Sequence, residues 1–238
     1  MKTRIAGLAF LSIIAALGTA CLAVEREHWQ CGTSSCVMTG GEVKNNTDSF
    51  YRGVKVTVTY YGETGRTFSA AAQTCTDIIN PHDSSPFEIT ENSYITAFKT
   101  TGYQLAFEGE PATDVLPNYL TVSDIAFQEL WLYGWMVRVE ATIQNSGTVI
   151  YDYPTVCMAF YKEGVLVHLV DRLPLDTIEP GESTRFGVDY QFYWLSDRPT
   201  EVRLWVKGVQ RDAYGWVMPV STGVIPIPDV IHPPYLPE

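Results

Sequence analysis

The sequence predicts an all-β chain of two tandem β-sandwich domains behind an N-terminal signal segment. Three observations carry this expectation. Val54-Lys55-Val56-Thr57-Val58-Thr59-Tyr60 alternates apolar and polar residues strictly, the period of a strand with one buried face. After the leader no stretch shows the 3.6-residue period of an amphipathic helix, while Pro and Gly punctuate the chain as short strands and turns require. Finally, the chain contains one segment twice.

Residues 1–20 read as the signal segment. Lys2 and Arg4 supply the positive start, Ile5 to Leu17 an uncharged, mostly apolar run, and Gly18-Thr19-Ala20 the small residues of a cleavage site. The run is shorter than the roughly 20 apolar residues a membrane-spanning helix needs. The mature chain is therefore expected outside the cytoplasm and not integral to the membrane.

Cys21 follows directly, and the junction resembles the bacterial lipoprotein signal, whose first mature residue is a cysteine that receives lipid. Thr19 and Ala20 fit that pattern. Leu17 stands four residues before the cysteine, with Gly18 where the family usually has its leucine. The resemblance implies lipidation of Cys21 and a membrane anchor, each buried acyl methylene contributing about 0.8 kcal/mol. Ordinary cleavage near Ala20 or Ala23, leaving a secreted protein, is the alternative.

Sixteen Lys and Arg against 27 Asp and Glu give a net charge of −11. No basic face capable of neutralising phosphates is visible, which argues against nucleic acid as a partner. Besides Cys21 the chain has Cys31, Cys36, Cys75 and Cys157. Outside the cytoplasm some should pair. Cys31 with Cys36 would close a small loop, and Cys36 with Cys75 is an equal alternative. Cys157, placed between Val156 and Met158, should point away from the apolar face unless another domain covers it, and reads as a candidate free thiol. No second Cys or His pair accompanies Cys31 and Cys36, so no zinc site is expected.

The repeat is read by placing Asn45 on Asn145. At an offset of 100, Tyr51 meets Tyr151, Val56 meets Val156 and Tyr61 meets Tyr161. In the following turn the offset falls to 99, and Asp77 then meets Asp176, Pro81 meets Pro180, Phe87 meets Phe186 and Gly109 meets Gly208. A one-residue gap inside a hairpin loop is where a duplication tolerates one. Both copies keep the same face apolar, as a two-layer sandwich demands.

Val/Ile-x-Asn, a tyrosine, an alternating strand ending in aromatic-Tyr, a glycine turn and Ile-x-Pro-x-x-Ser-x-x-Phe together resemble the FxLYD family. The second copy, with Met158-Ala159-Phe160-Tyr161-Lys162, fits best, although Lys162 replaces the family's Asp; Val58-Thr59-Tyr60-Tyr61-Gly62 is the looser match. The resemblance implies immunoglobulin-like modules of exported bacterial or archaeal surface proteins and lipoproteins, and no catalytic residue.

The expected boundaries are a tether at 21–36, a first domain at 37–110, a linker at 111–118, a second domain at 119–212 and a proline-rich tail at 213–238. The tail carries Pro226, Pro228, Pro233, Pro234 and Pro237 and should be extended.

Chemistry is sparse. His28, His82, His168 and His232 have no local ligand spacing, and no nucleophile elbow, His-Glu-x-x-His or phosphate-cradling loop occurs. No cofactor, metal or enzymatic activity is expected; Asp171, Asp176, Glu179 and Glu182 read as solvated loop carboxylates rather than a calcium site. Trp131, Tyr133 and Trp135 would share one face of a strand if that segment is extended, forming either core or a platform for a sugar or small ligand. The function expected is a non-catalytic envelope scaffold contacting another envelope protein or a glycan, with ligand binding on the aromatic face as the alternative.

Overall fold

The computed structural model describes residues 21–31, 36–89, 100–131, 135–192 and 198–228, with backbone alone at 30, 31, 36, 37 and 131. The expected signal segment, residues 1–20, lies outside the described residues.

The alternating run falls within β3 (Phe50–Gly62), where Val54, Val56, Val58 and Tyr60 are buried and Lys55, Thr57 and Thr59 are half-buried. On one edge β3 pairs with β4 (Thr67–Gln73) and, at its start, with β5 (Ile78–Ile79), and on the other edge with β7 (Thr100–Ala112). The facing sheet orders β1 (Leu22–Cys31), β2 (Cys36–Asn45) and β6 (Ser84–Glu88). Met38, Val43 and Phe87 from this sheet close on the β3 valines. Burial of each such side chain contributes about 1.5–3 kcal/mol. Tyr60 spans the layers: its hydroxyl donates to Met38 O (3.2 Å) and accepts from Met38 N (3.0 Å), and burial pushes its phenol up to about 12.

The second sandwich repeats this plan. One sheet orders β9 (Leu120–Trp131), β10 (Trp135–Asn145) and β13 (Ser183–Phe192). The other orders β12 (Val165–Pro174), β11 (Tyr151–Lys162) and β14 (Glu201–Gln210). The fold is all-β, built from immunoglobulin-like β-sandwiches. The repeated asparagines earn their place by capping the loop before the third strand. Asn45 Nδ2 donates to Ser49 O (2.7 Å) and Asn80 O (3.1 Å), while Oδ1 accepts from Thr47 N (3.0 Å). Asn145 repeats the pattern with Val149 O (2.7 Å), Ile178 O (3.1 Å) and Gly147 N (3.0 Å). A buried amide with this many backbone groups in reach satisfies polar atoms that the turn would otherwise strand.

Three segment expectations are corrected. The described part of the expected tether at 21–36 is strand: β1 pairs with β2 from Leu22 opposite Asn45 to Cys31 opposite Cys36. Leu22, Val24 and Trp29 pack on the first core, which is why the segment is a strand. The expected linker is structured as well, since β7 runs to Ala112 and β8 (Val115–Leu116) pairs in parallel with β15 (Trp216–Val217). The expected tail supplies that β15 together with β16 (Val220–Ser221) and β17 (Ile225–Pro226), both added to β14. Ile227 then enters the second core.

Candidate functional site at the seam between the sandwiches

In copy one the outer face of β3 meets solvent, whereas in copy two the equivalent face of β11 is covered. Cys157, Ala159 and Tyr161 alternate with the inward Val156, Met158 and Phe160, yet all six are buried. The cover is the outer face of the β1–β2–β6 sheet and the loops beside it. Leu166, Leu169 and Trp205 complete an apolar cluster with Cys75 of the first sandwich. Gly40 permits the approach: a Cβ there would lie 2.8 Å from Phe87 O and 3.1 Å from the Leu166 side chain.

Cys75 and Cys157 form a disulfide across this seam, 82 residues apart in sequence. Cys157 is thus not a free thiol, because the first sandwich covers the face it points from. The expected partners of Cys75 are corrected with it: Cys36 does not pair with Cys75. Cys31 and Cys36 stand opposite each other across the β1–β2 hairpin, and their side chains lie outside those described. Asp171 approaches both sulfurs, within 4.8 Å, but sulfurs joined in a disulfide offer no thiolate to a metal.

Beside the disulfide lies a buried polar cluster. Glu42 of β2 is 1% exposed, and accepts hydrogen bonds from the hydroxyls of Tyr161 and Ser84. Arg203 Nη1 lies 3.4 Å from Glu42 Oε2 and donates to Ser84 Oγ (2.8 Å), while its Nη2 pairs with Asp83. The guanidinium carbon sits 4.5 Å from the centre of the Trp205 ring, whose Nε1 donates to Ser84 O (2.8 Å). Arg26 lies 3.8 Å from Glu42 and 4.7 Å from the centre of the Tyr161 ring. Burial, then the neighbouring Glu42 carboxylate, drives the Tyr161 phenol far above its ordinary value, so it donates and does not ionise. Such a cluster holds geometry: a buried carboxylate is tolerated only where donors converge on it, and that fixes the register of the two sheets.

Where the seam opens, the β11–β14 face continues into a groove of about 250 Å³ lined by Tyr153, Thr155, Lys207, Val209 and Trp216, with Asp77 of the first sandwich at its edge. Lys207 pairs with Asp77, which also lies 3.5 Å from Arg172. Tyr153 and Val209 are 71% and 66% exposed.

The structure places the described residues of the expected aromatic face opposite each other across two strands instead of along one. Trp131 ends β9 and Trp135 begins β10 as antiparallel partners, so the two do not lie along one strand. Tyr133 lies outside the described residues, and Trp135 packs against the second core. His168 stacks on Tyr190, with ring centres 4.8 Å apart, in line with Phe160. His82 Nε2 lies 2.8 Å from Asp48 at an exposed turn, and His28 Nδ1 lies 3.0 Å from Thr39 Oγ1. Glu182 caps the turn at Glu179 N (3.3 Å), and among the described residues Asp171, Asp176, Glu179 and Glu182 form no group of ligand spacing.

Sequence reasoning missed the seam and the groove. One signal was present: Val156 to Tyr161 is apolar without interruption, the pattern of a strand covered on both faces, where Val56 to Tyr61 alternates.

No family model matches the chain, and no curated protein matches it. Among solved structures it is similar to red sea bream transglutaminase at 10% identity, over 87% of this chain and 32% of that one, with a TM-score of 0.29. Amycolatopsis orientalis exo-chitosanase CsxA matches at 13% identity, over 85% and 26%, with a TM-score of 0.28. A GH2 β-galacturonidase from Eisenbergiella tayi matches at 12% identity, over 92% and 42%, with a TM-score of 0.29. The chain spans less than half the length of each, and likeness at this distance carries nothing about activity.

Proposed function

We propose that the chain is an exported envelope protein, anchored by lipid on Cys21, whose two FxLYD-like sandwiches act as one rigid, non-catalytic scaffold for binding another envelope component. The observation that carries this reading is the seam. Two modules meant to move independently would be joined by a polar, wet contact; here a disulfide and a buried carboxylate held by Tyr161, Ser84 and Arg203 join them. Cys21 adjoins the fold directly, its carbonyl accepting from Asn46 N (2.8 Å) immediately before β1. Lipid there would seat the first sandwich close to the membrane without a spacer.

Two measurements test the reading. Spin labels on the outer strands β4 and β9 should give one narrow distance distribution, and a broad one would overturn the rigid scaffold. Intact mass of membrane-extracted protein should show acyl chains on Cys21; an unmodified start at Leu22 or beyond would remove the anchor.

A further inference from the structure

The two copies place very different residues at one strained position. Gly53 and Tyr153 occupy the same bulge of β3 and β11, where the register slips between Arg52 and Lys55 and again between Asp152 and Thr155. Both are left-handed, with φ +59° at Gly53 and +46° at Tyr153. Glycine takes this conformation freely, whereas a bulky residue there is a strained outlier. Tyr153 is 71% exposed, so the core does not require its ring. The neighbouring position changes in the same sense: Val209, 66% exposed, stands where the first copy has Glu110. Strain retained at an exposed aromatic points to a binding role.

We propose that the groove between Tyr153, Val209 and Trp216 binds a neutral hexopyranose ring. The inference rests on the scaffold reading and names what that scaffold holds. The aromatic and apolar walls match the C–H faces of a sugar ring. The polar lining matches its hydroxyls, since the Asp77 carboxylate accepts, the Lys207 ammonium donates and Thr155 does both. Of the charged residues lining the groove, Asp77 and Lys207 compensate one another, so an anionic ligand meets the carboxylate and a cationic one meets Lys207. Only an uncharged ligand uses both partners. The volume, about 250 Å³, lies just under the range for drug-sized ligands and accommodates one ring. Arg52, 5.8 Å from the centre of the Trp216 ring, holds that wall from the first sandwich, so the site needs both modules.

The test is saturation-transfer NMR of the mature chain with methyl glucopyranoside, N-acetylglucosamine and glucuronate. The neutral sugars should bind saturably and glucuronate more weakly. Tyr153→Gly restores the residue the first copy uses, so it should fold with an unchanged or raised melting temperature and lose about tenfold or more in affinity, as removal of an aromatic anchor does. Trp216→Ala should weaken binding likewise. No saturable binding of any of the three sugars, glucuronate binding as tightly as the neutral pair, or full binding by Tyr153→Gly would each overturn the proposal. Dimerisation of the wild type abolished by Tyr153→Gly, without sugar binding, would replace the sugar by a second copy of the chain. Any of these results, obtained while the inter-sandwich spin-label distance stays narrow, leaves the rigid scaffold standing and removes the sugar alone.

Discussion

Tyr161 of the second sandwich donates its hydroxyl hydrogen to Glu42 of the first, a carboxylate almost wholly withdrawn from water. The two residues are 119 positions apart, and the bond exists only because two outer sheet faces meet. Tyr161→Phe removes this donor while keeping the ring. A hydrogen bond to a charged group contributes about 1.5–3 kcal/mol, and denaturant unfolding should show a loss of that size. Tyr61→Phe is the control, because its ring is 39% exposed and its hydroxyl reaches Gln104 at the surface; its effect should stay within about 0.5 kcal/mol.

Removing the seam disulfide should separate the modules before it unfolds them. Cys75→Ala with Cys157→Ala deletes a link that closes a long loop, which costs about 2–4 kcal/mol. The expected readouts are a lower melting temperature and a broader distance distribution between the sandwiches. An unchanged distribution would assign rigidity to the Glu42 cluster alone.

Acid should weaken the protein through its half-buried histidines. Burial holds His168 and His28 below the ordinary value of 6.5. The unfolded chain therefore takes up these protons first as pH falls. The stability each neutral ring provides is complete above 6.5 and is lost as pH falls through its lowered folded value. Denaturation midpoints should decline in that window, and His168→Phe, which keeps the stack on Tyr190, should flatten the decline. A slope unaltered in that variant would place the acid sensitivity elsewhere.

Asn45→Ala and Asn145→Ala should cost alike. Each strands the backbone groups of its loop, Ser49 O and Thr47 N in one copy and Val149 O and Gly147 N in the other. Leaving such groups unpaired costs about 1–3 kcal/mol. Paired melting curves of the two variants check the equivalence of the copies directly.

Much of the strand plan was legible in the sequence, because alternation and turn chemistry are local. Val54 to Tyr60 shows its buried face in its own residue order, and Asn45 and Asn145 mark their loops by type. The candidate site was not legible, because its members come from β2, β6, β11 and β14 and no local pattern joins them. Cys157 illustrates the limit: its outward direction followed from alternation, while its disulfide partner depended on which surface came to cover it. Trp131 and Trp135 show another, since a hairpin and a continuous strand place residues four apart quite differently.

Tyr61 and Tyr161 state the division most simply. The sequence by itself determined that they are the same residue of a repeated module, outward-facing at the end of an alternating strand. Only the tertiary structure decided that Tyr161 is buried while Tyr61 is exposed. The reason is physical: strand alternation specifies the two faces of a sheet, whereas the outer face stays wet or dry according to what packs upon it. The first sandwich packs upon one of the two faces and leaves the other to water.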